Sequence, residues 1–75
     1  MEVPGTLEGR QAYTIHGQPY SRLFYSVRDD PETIHPCQLP DDAVDPDLRP
    51  GDPIVLTMLL RTVMEIRRDP AERAP

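Results

Sequence analysis

The residues with the greatest chemical reactivity are two histidines and one cysteine: His16, His35 and Cys37. A zinc site needs three or four protein ligands, and here two of the three candidates are close neighbours on a segment kinked by Pro36. A Cys/His nucleophilic pair would also need an oriented base and a set of oxyanion donors, yet no glycine-rich turn accompanies Cys37. We therefore expect Cys37 to be a small buried or half-buried residue, with no metal bound by this group.

The four glycines are scattered along the chain, at positions 5, 9, 17 and 51. They cannot form the glycine-rich loop that cradles a phosphate. The sequence also offers neither a Ser/His/Asp spacing nor a paired-carboxylate site. We expect no cofactor and no catalytic residues, so the sequence predicts a protein that is not an enzyme.

Aspartates are concentrated between residues 41 and 52. An EF-hand loop requires glycine at its sixth position and glutamate at its twelfth. Counted from Asp45, those positions hold Pro50 and Leu56, so the motif is absent. We expect a solvated acidic loop over 40–53 whose carboxylates cap turns.

Arginines and aromatic residues could together form a surface for single-stranded nucleic acid, on which bases stack while cations contact phosphates. The candidate residues of this alternative function are Arg22, Phe24, Arg61 and Arg67. The formal net charge of −5 disfavours it, because phosphate neutralisation supplies much of the affinity for nucleic acid.

Two runs with strand character must position these residues. Tyr13 and Ile15 alternate with polar residues, and the segment 20–28 alternates cleanly and is rich in aromatic and β-branched residues. A loop containing Gly17 joins the two runs, which predicts an antiparallel hairpin. On the second run, one face carries Leu23, Tyr25 and Val27, and the other carries Arg22, Phe24, Ser26 and Arg28.

A third strand is predicted over 33–39. Pro36 cannot donate a ladder hydrogen bond, so this strand should lie at a sheet edge or carry a bulge. Beyond it, Asp41 opens a candidate helical turn after Pro40. Val44 and Leu48 are the only sizeable apolar anchors of the acidic loop.

The long apolar run 54–68 fits two patterns. As a helix it would have one polar stripe, an N-cap at Asp52 and Pro53 in its first turn. As a strand its even positions form an apolar face, but fifteen strand residues would span about 50 Å, far more than a domain with a radius of gyration of about 11 Å can contain. The strand interpretation, which the upstream strands favour, therefore requires a bend or break near Arg61 and Thr62.

The pattern Leu48-x-Pro50-Gly51-Asp52-x-Ile54-x-Leu56, followed by Leu59-Leu60-x-x-Val63-x-x-Ile66, resembles small five-stranded barrels of the OB and SH3-like kind. The resemblance covers residues 48–66 and implies a Pro-Gly-Asp turn opening a strand that runs into a curved neighbour. We predict an all-β domain, either a five-stranded barrel or a half-barrel. The alternative is an α+β domain in which residues 53–68 form a helix packed on a hairpin and sheet.

Seventy-five residues suffice for one small domain. We predict a flexible arm over 1–9, a single β domain over 10–69 and a flexible tail over 70–75. There is no apolar run long enough to span a membrane, no signal-peptide pattern at the N-terminus, and a single cysteine. The sequence therefore predicts a cytoplasmic protein.

Function is predicted from an excess of apolar surface. On the strand interpretation, the odd face of the long run carries Val55, Leu59 and Val63, which the short partner strands cannot cover. Exposed patches of this kind usually mark an interface. We expect a small interaction or structural module that forms a homo-oligomer or serves as an accessory subunit, with single-stranded nucleic-acid binding of the OB type as the alternative.

Overall fold

Five antiparallel strands form one sheet in a computed structural model that describes residues 1–70. The strands are β1 (Glu2–Ile15), β2 (Gln18–Val27), β3 (Asp30–Pro40), β4 (Pro53–Leu59) and β5 (Thr62–Arg68), with a 3₁₀ turn at Asp41–Ala43. Their order across the sheet is β3-β2-β1-β4-β5. The prediction of an all-β, five-stranded half-barrel is confirmed; the barrel does not close, and the alternative with a helix over 53–68 is wrong.

The β1–β2 hairpin lies where the sequence places it. His16 and Gly17 form its two-residue turn with φ values of 51° and 79°. Positive φ at both central residues is the geometry that matches the twist of the flanking strands. Leu23 and Tyr25 of β2 are buried, whereas Arg22 on the other face is exposed, so the predicted alternation is confirmed for this part of the strand. It is wrong for Ser26, which is buried although it was expected on the outer face.

The first nine residues belong to β1, the central strand, and are not the predicted loose arm. Gly5 pairs with Val27 on one side and with Ile54 on the other. A Cβ at this position would collide with the carbonyl oxygen of Ser26, so the glycine is required for close packing of β1 against β2. Pro4 and Gly5 therefore mark a crowded strand here, although the same residues are typical of loops.

Strand β3 forms one edge of the sheet, as Pro36 predicts. Within the described residues it pairs only with β2. Pro31, Pro36 and Pro40 all lie in this strand, and each lacks the N–H that a further strand would need as a donor. Prolines on an edge prevent unwanted strand pairing.

The long apolar run is a hairpin of two strands, β4 and β5, joined at Leu60 and Arg61. The predicted break is confirmed and begins one residue earlier than expected. Leu60 has a φ of 58°, a left-handed conformation that costs a non-glycine residue about 1–2 kcal/mol. The register shifts once in this hairpin, because Thr57 pairs with Glu65 and Met58 pairs with Val63. Met64 is consequently an extra residue, a β-bulge.

The core lies on the concave face of the sheet. Its buried apolar residues are Leu7, Leu23, Tyr25, Leu39, Val44, Leu48, Ile54, Leu56, Val63 and Ile66. The predicted helical turn after Pro40 is present as the 3₁₀ turn, and the predicted loop anchors Val44 and Leu48 are both in the core.

After the 3₁₀ turn the chain crosses to the far edge of the sheet. Val44 makes a parallel bridge with Ile66, and the N–H of Asp45 donates to the carbonyl oxygen of Ile66 at 3.2 Å. Residues 45–52, which we call the strap, then return to the start of β4. The strap thus covers the β5 edge in part.

Among residues 1–70, no helix has the length and apolar character needed to cross a membrane. Apart from Pro70, the predicted flexible tail over 70–75 lies outside the residues that the structure describes.

Candidate interaction surface

The three residues predicted as an exposed apolar face do not share one. Val63 is buried in the core at 9% exposure, whereas Leu59 is 63% exposed. Val55 is half-buried and lies with Leu59 on the outer, convex face. The expected exposure of Val63 is wrong, because the turn at Leu60 and Arg61 interrupts the even–odd alternation on which it relied. Val63 instead lies opposite Met58, a residue that packs against the core.

A different set of apolar side chains is exposed at the end of the β4–β5 hairpin. We call it the tip patch and define it as Met1, Leu59, Leu60 and Met64, whose exposures are 80%, 63%, 88% and 49%. Isolated exposed apolar residues are normal on a protein surface, but a contiguous group often marks a binding site. The tip patch is therefore the strongest candidate for an interface.

Two backbone hydrogen bonds fix the N-terminal residue beside β4. The Met1 amino group donates to the carbonyl oxygen of Met58 at 3.0 Å, and the Met58 N–H donates to the carbonyl oxygen of Met1 at 2.7 Å. Met1 thereby extends the β1–β4 ladder by one residue. Its side chain is thereby held near the hairpin end, on the face of Met58, whereas Leu59 lies on the outer face.

The sequence missed Leu60 and Met64 as surface residues. Both occupy even positions of the apolar run and were expected on its core face. Leu60 is instead in the turn and Met64 is the bulge residue, so neither obeys the alternation of a regular strand. The length of the run compared with the size of the domain predicts a break near residue 61. It does not predict which side chains then lie outside the core.

Two unpaired charges flank the tip patch. Glu2 is exposed and lies opposite Thr57 on β4, and Arg61 is exposed in the hairpin turn. Across residues 1–70, no carboxylate forms a salt bridge with Arg61 and no basic side chain forms one with Glu2. The patch thus has an acid on one side and a base on the other.

A second surface lies on the outer face at the β1–β2 hairpin. Tyr13 is directly opposite Tyr20, with ring centroids 6.0 Å apart. The guanidinium of Arg22 lies 5.8 Å from the centroid of the Tyr13 ring, a cation–π distance. Phe24 is opposite Gly9, and its ring would be 3.3 Å from a Cβ placed there. The four side chains form an aromatic surface with one cation.

The structure does not bring the four predicted nucleic-acid residues together. Arg22 and Phe24 lie on the aromatic surface, but Arg61 is at the tip patch. Along β1, the residue opposite Arg22 is Gln11, which is about 30 Å of strand away from Met1 at roughly 3.3 Å per residue. Arg67 is engaged elsewhere.

Arg67 and its neighbour Arg68 hold the strap. Arg67 forms salt bridges of 3.2 Å with both Asp45 and Glu65. Arg68 lies 3.1 Å from a carboxylate oxygen of Asp52 and 3.5 Å from one of Asp47. The strap aspartates therefore neutralise these two arginines, which lowers their availability for phosphates.

One strap carboxylate also caps a turn, as the sequence predicts for this loop. The N–H of Arg49 donates to Asp52 at 2.8 Å. This hydrogen bond, with the charge and hydrogen bond of Arg68 and the charge of Arg49 itself, lowers the pKa of Asp52. Asp52 is consequently ionised and bonded under neutral conditions.

The predicted soft ligands are in two places. His16 is exposed in the β1–β2 turn, whereas His35 stacks on Tyr25 with ring centroids 5.3 Å apart. Cys37 is half-buried, as expected, and burial raises the pKa of its thiol to about 11. Within the described residues no group of three or more His, Cys, Asp or Glu side chains is placed to hold a metal ion. At neutral pH the thiolate, which is the nucleophilic form, is scarce.

No protein-family model, no curated protein and no solved structure matches this chain.

Proposed function

We propose that this chain is a non-catalytic interaction module that associates with protein, as a self-associating unit or an accessory subunit, through the tip patch. The observation that carries the proposal is the exposure of four large apolar side chains at one end of the sheet. Ten apolar residues fill the core of the described chain, yet Leu59 and Leu60 are left in water.

The backbone at Leu60 adds to this argument. A leucine at positive φ is strained, and glycine or asparagine would adopt this conformation more easily. Leu60 is 88% exposed, so within residues 1–70 no packing of its side chain compensates for the strain. Leu60 thus has both a strained backbone conformation and an apolar side chain exposed to water. A contact with another molecule is the best explanation for this combination.

The size of the patch sets the expected affinity. Complete burial of one leucine or methionine side chain stabilises a complex by about 1.5–3 kcal/mol. Association costs on the order of 4–15 kcal/mol in lost freedom. Four partly exposed side chains therefore support weak, reversible association, and a stable complex would extend over the outer face towards Val55.

Sedimentation velocity at micromolar concentrations tests the proposal. We expect concentration-dependent association that the substitution Leu60→Asn removes, because asparagine relieves the backbone strain and presents no apolar surface. The matched control is Ile34→Asn, since Ile34 is 49% exposed on β3, remote from the tip patch. If the wild-type chain is a clean monomer that binds no protein, or if both variants behave alike, the proposal is wrong.

A second candidate is single-stranded nucleic-acid binding, which the aromatic surface favours. Tyr13, Tyr20 and Phe24 offer rings for base stacking, and Arg22 supplies a cation among them. The hydroxyl of Tyr13 is buried and has no hydrogen-bond partner among the described residues.

Fluorescence anisotropy with a labelled single-stranded oligonucleotide tests this candidate. It predicts binding that weakens steeply with salt and that Arg22→Gln reduces. Arg49→Gln, which removes an exposed charge from the strap, is the control and should change affinity little. No binding at low salt would eliminate this candidate.

A further inference from the structure

The two unpaired charges beside the tip patch identify its partner. We propose that the tip patch is the interface of a symmetric dimer, in which Arg61 of each copy pairs with Glu2 of the other. This inference rests on the proposed function and deepens it, since it names a second copy of this chain as the occupant.

The spacing of the charges suits a two-fold axis. Glu2 is level with Thr57 of β4, and Arg61 follows four residues later, beyond Leu59. At roughly 3.3 Å per residue the two positions are at least about 13 Å apart along the strand direction, and they form no ion pair within one copy. Leu59 lies between them. An axis through Leu59 exchanges the two charged positions and creates two identical ion pairs.

The apolar part of the patch is equally suited to contact itself. A two-fold axis at Leu59 places that side chain against its own copy, with Leu60 and Met64 beside it. Methionine is unbranched and polarisable and fills irregular gaps between surfaces. The ion pairs at the rim contribute orientation and specificity more than affinity. A patch that carries both signs of charge is complementary to itself, whereas a partner of one charge sign would leave one of the two unpaired.

The other route to self-association, extension of the sheet, is obstructed at both edges. β3 contains Pro31, Pro36 and Pro40, which cannot donate hydrogen bonds to an added strand. β5 is covered in part by the bridge from Val44 and by Asp45. Self-association is therefore directed to the hairpin end.

Charge reversal tests the dimer. Glu2→Arg and Arg61→Glu each turn two attractive pairs into two repulsive ones, and we expect each variant alone to dimerise about tenfold more weakly. The double variant, Glu2→Arg with Arg61→Glu, restores both pairs and should recover the wild-type dissociation constant. An equimolar mixture of the two single variants should form a heterodimer in preference to either homodimer. All are measured by sedimentation equilibrium, with circular dichroism to confirm that each variant is folded.

The outcomes separate this inference from the proposed function. If Leu60→Asn abolishes association but charge reversal leaves it unchanged, the two-fold arrangement is overturned and the interaction module stands. If the wild-type chain binds another protein through the tip patch and does not dimerise, the second copy is likewise the wrong occupant. If Leu60→Asn also has no effect, both proposals fail together.

Discussion

The strap and the tip patch differ both in amino-acid composition and in how far their side chains are held against the rest of the protein. The strap, residues 45–52, is rich in aspartate and proline, yet it is bound tightly to the body of the protein. The tip patch ends the most apolar run of the chain, yet its side chains are in water. In so small a sheet, exposure is decided by where a segment falls relative to the concave face and not by its hydropathy.

Arginine side chains explain why the polar strap is held. Arg10 lies on β1, and its Nη1 donates to the carbonyl oxygens of Asp45 at 3.0 Å and Leu48 at 3.4 Å. Arg67 and Arg68 bind the strap aspartates from the other side. Leu48 inserts into the core between these contacts. The tip patch has no comparable partners within the described chain.

The largest expected difference between the two regions is in the response to side-chain truncation. Leu48→Ala should lower the free energy of unfolding by about 2–5 kcal/mol, because it leaves a cavity in the core. Leu60→Ala should change it by less than about 0.5 kcal/mol, since an exposed side chain contributes little. Urea denaturation measures both. Equal losses for the two variants would contradict the contrast.

An intermediate effect is expected from the arginine that holds the strap. Arg10→Met removes the hydrogen bonds to the strap carbonyls and keeps an apolar stem, so we expect a loss of about 1–3 kcal/mol. Arg22→Met, on the same pair of strands but exposed, is the matched control and should cost less. Amide hydrogen exchange of the strap gives a second measurement. Unchanged protection of the strap amides in Arg10→Met would show that Arg10 does not hold it.

The smallest effect concerns pH. The pKa of Asp52 is lowered in the folded chain, first by the Arg49 N–H and then by Arg68. A depressed folded pKa means that Asp52 contributes stability above its unfolded pKa, which is close to 3.8, and that this contribution disappears as pH falls through the lower, folded value. Asp52→Asn should therefore be less stable than wild type near neutral pH and lose less stability below about pH 4.

Thermal melting between neutral and strongly acidic pH, recorded for the wild type and Asp52→Asn, checks this expectation. Two curves that remain parallel down to the acid limit would show that Asp52 makes no pH-dependent contribution.

Much of the fold could be predicted because its signals are local. The alternation over 20–28 indicates a strand with a defined buried face, and Gly17 allows the turn before it. Pro36 identifies an edge because it cannot donate a hydrogen bond to a neighbour. Val44 and Leu48 were recognisable as anchors because no other sizeable apolar side chain lies in the acidic loop.

The candidate site could be predicted only in part. Leu59 was expected to be exposed and is. Val63 was not expected in the core, because a strict period of two assigns it to the face of Leu59. The hairpin turn and the bulge at Met64 interrupt the alternation of inward and outward side chains. Both depend on how β5 pairs with β4, and this pairing cannot be inferred from the alternation of residue types alone.

The sequence by itself determined the strand over 20–28, the hairpin at Gly17, the edge at Pro36 and the break that the apolar run needs if it is a strand, because each follows from the chemistry of a few adjacent residues. Only the tertiary structure decided that Gly5 lies in a central strand and that Leu60 and Met64 leave the core. The physical reason is that these outcomes depend on neighbouring strands: Ser26 excludes a side chain at residue 5, and pairing of β4 with β5 sets which apolar residues face water.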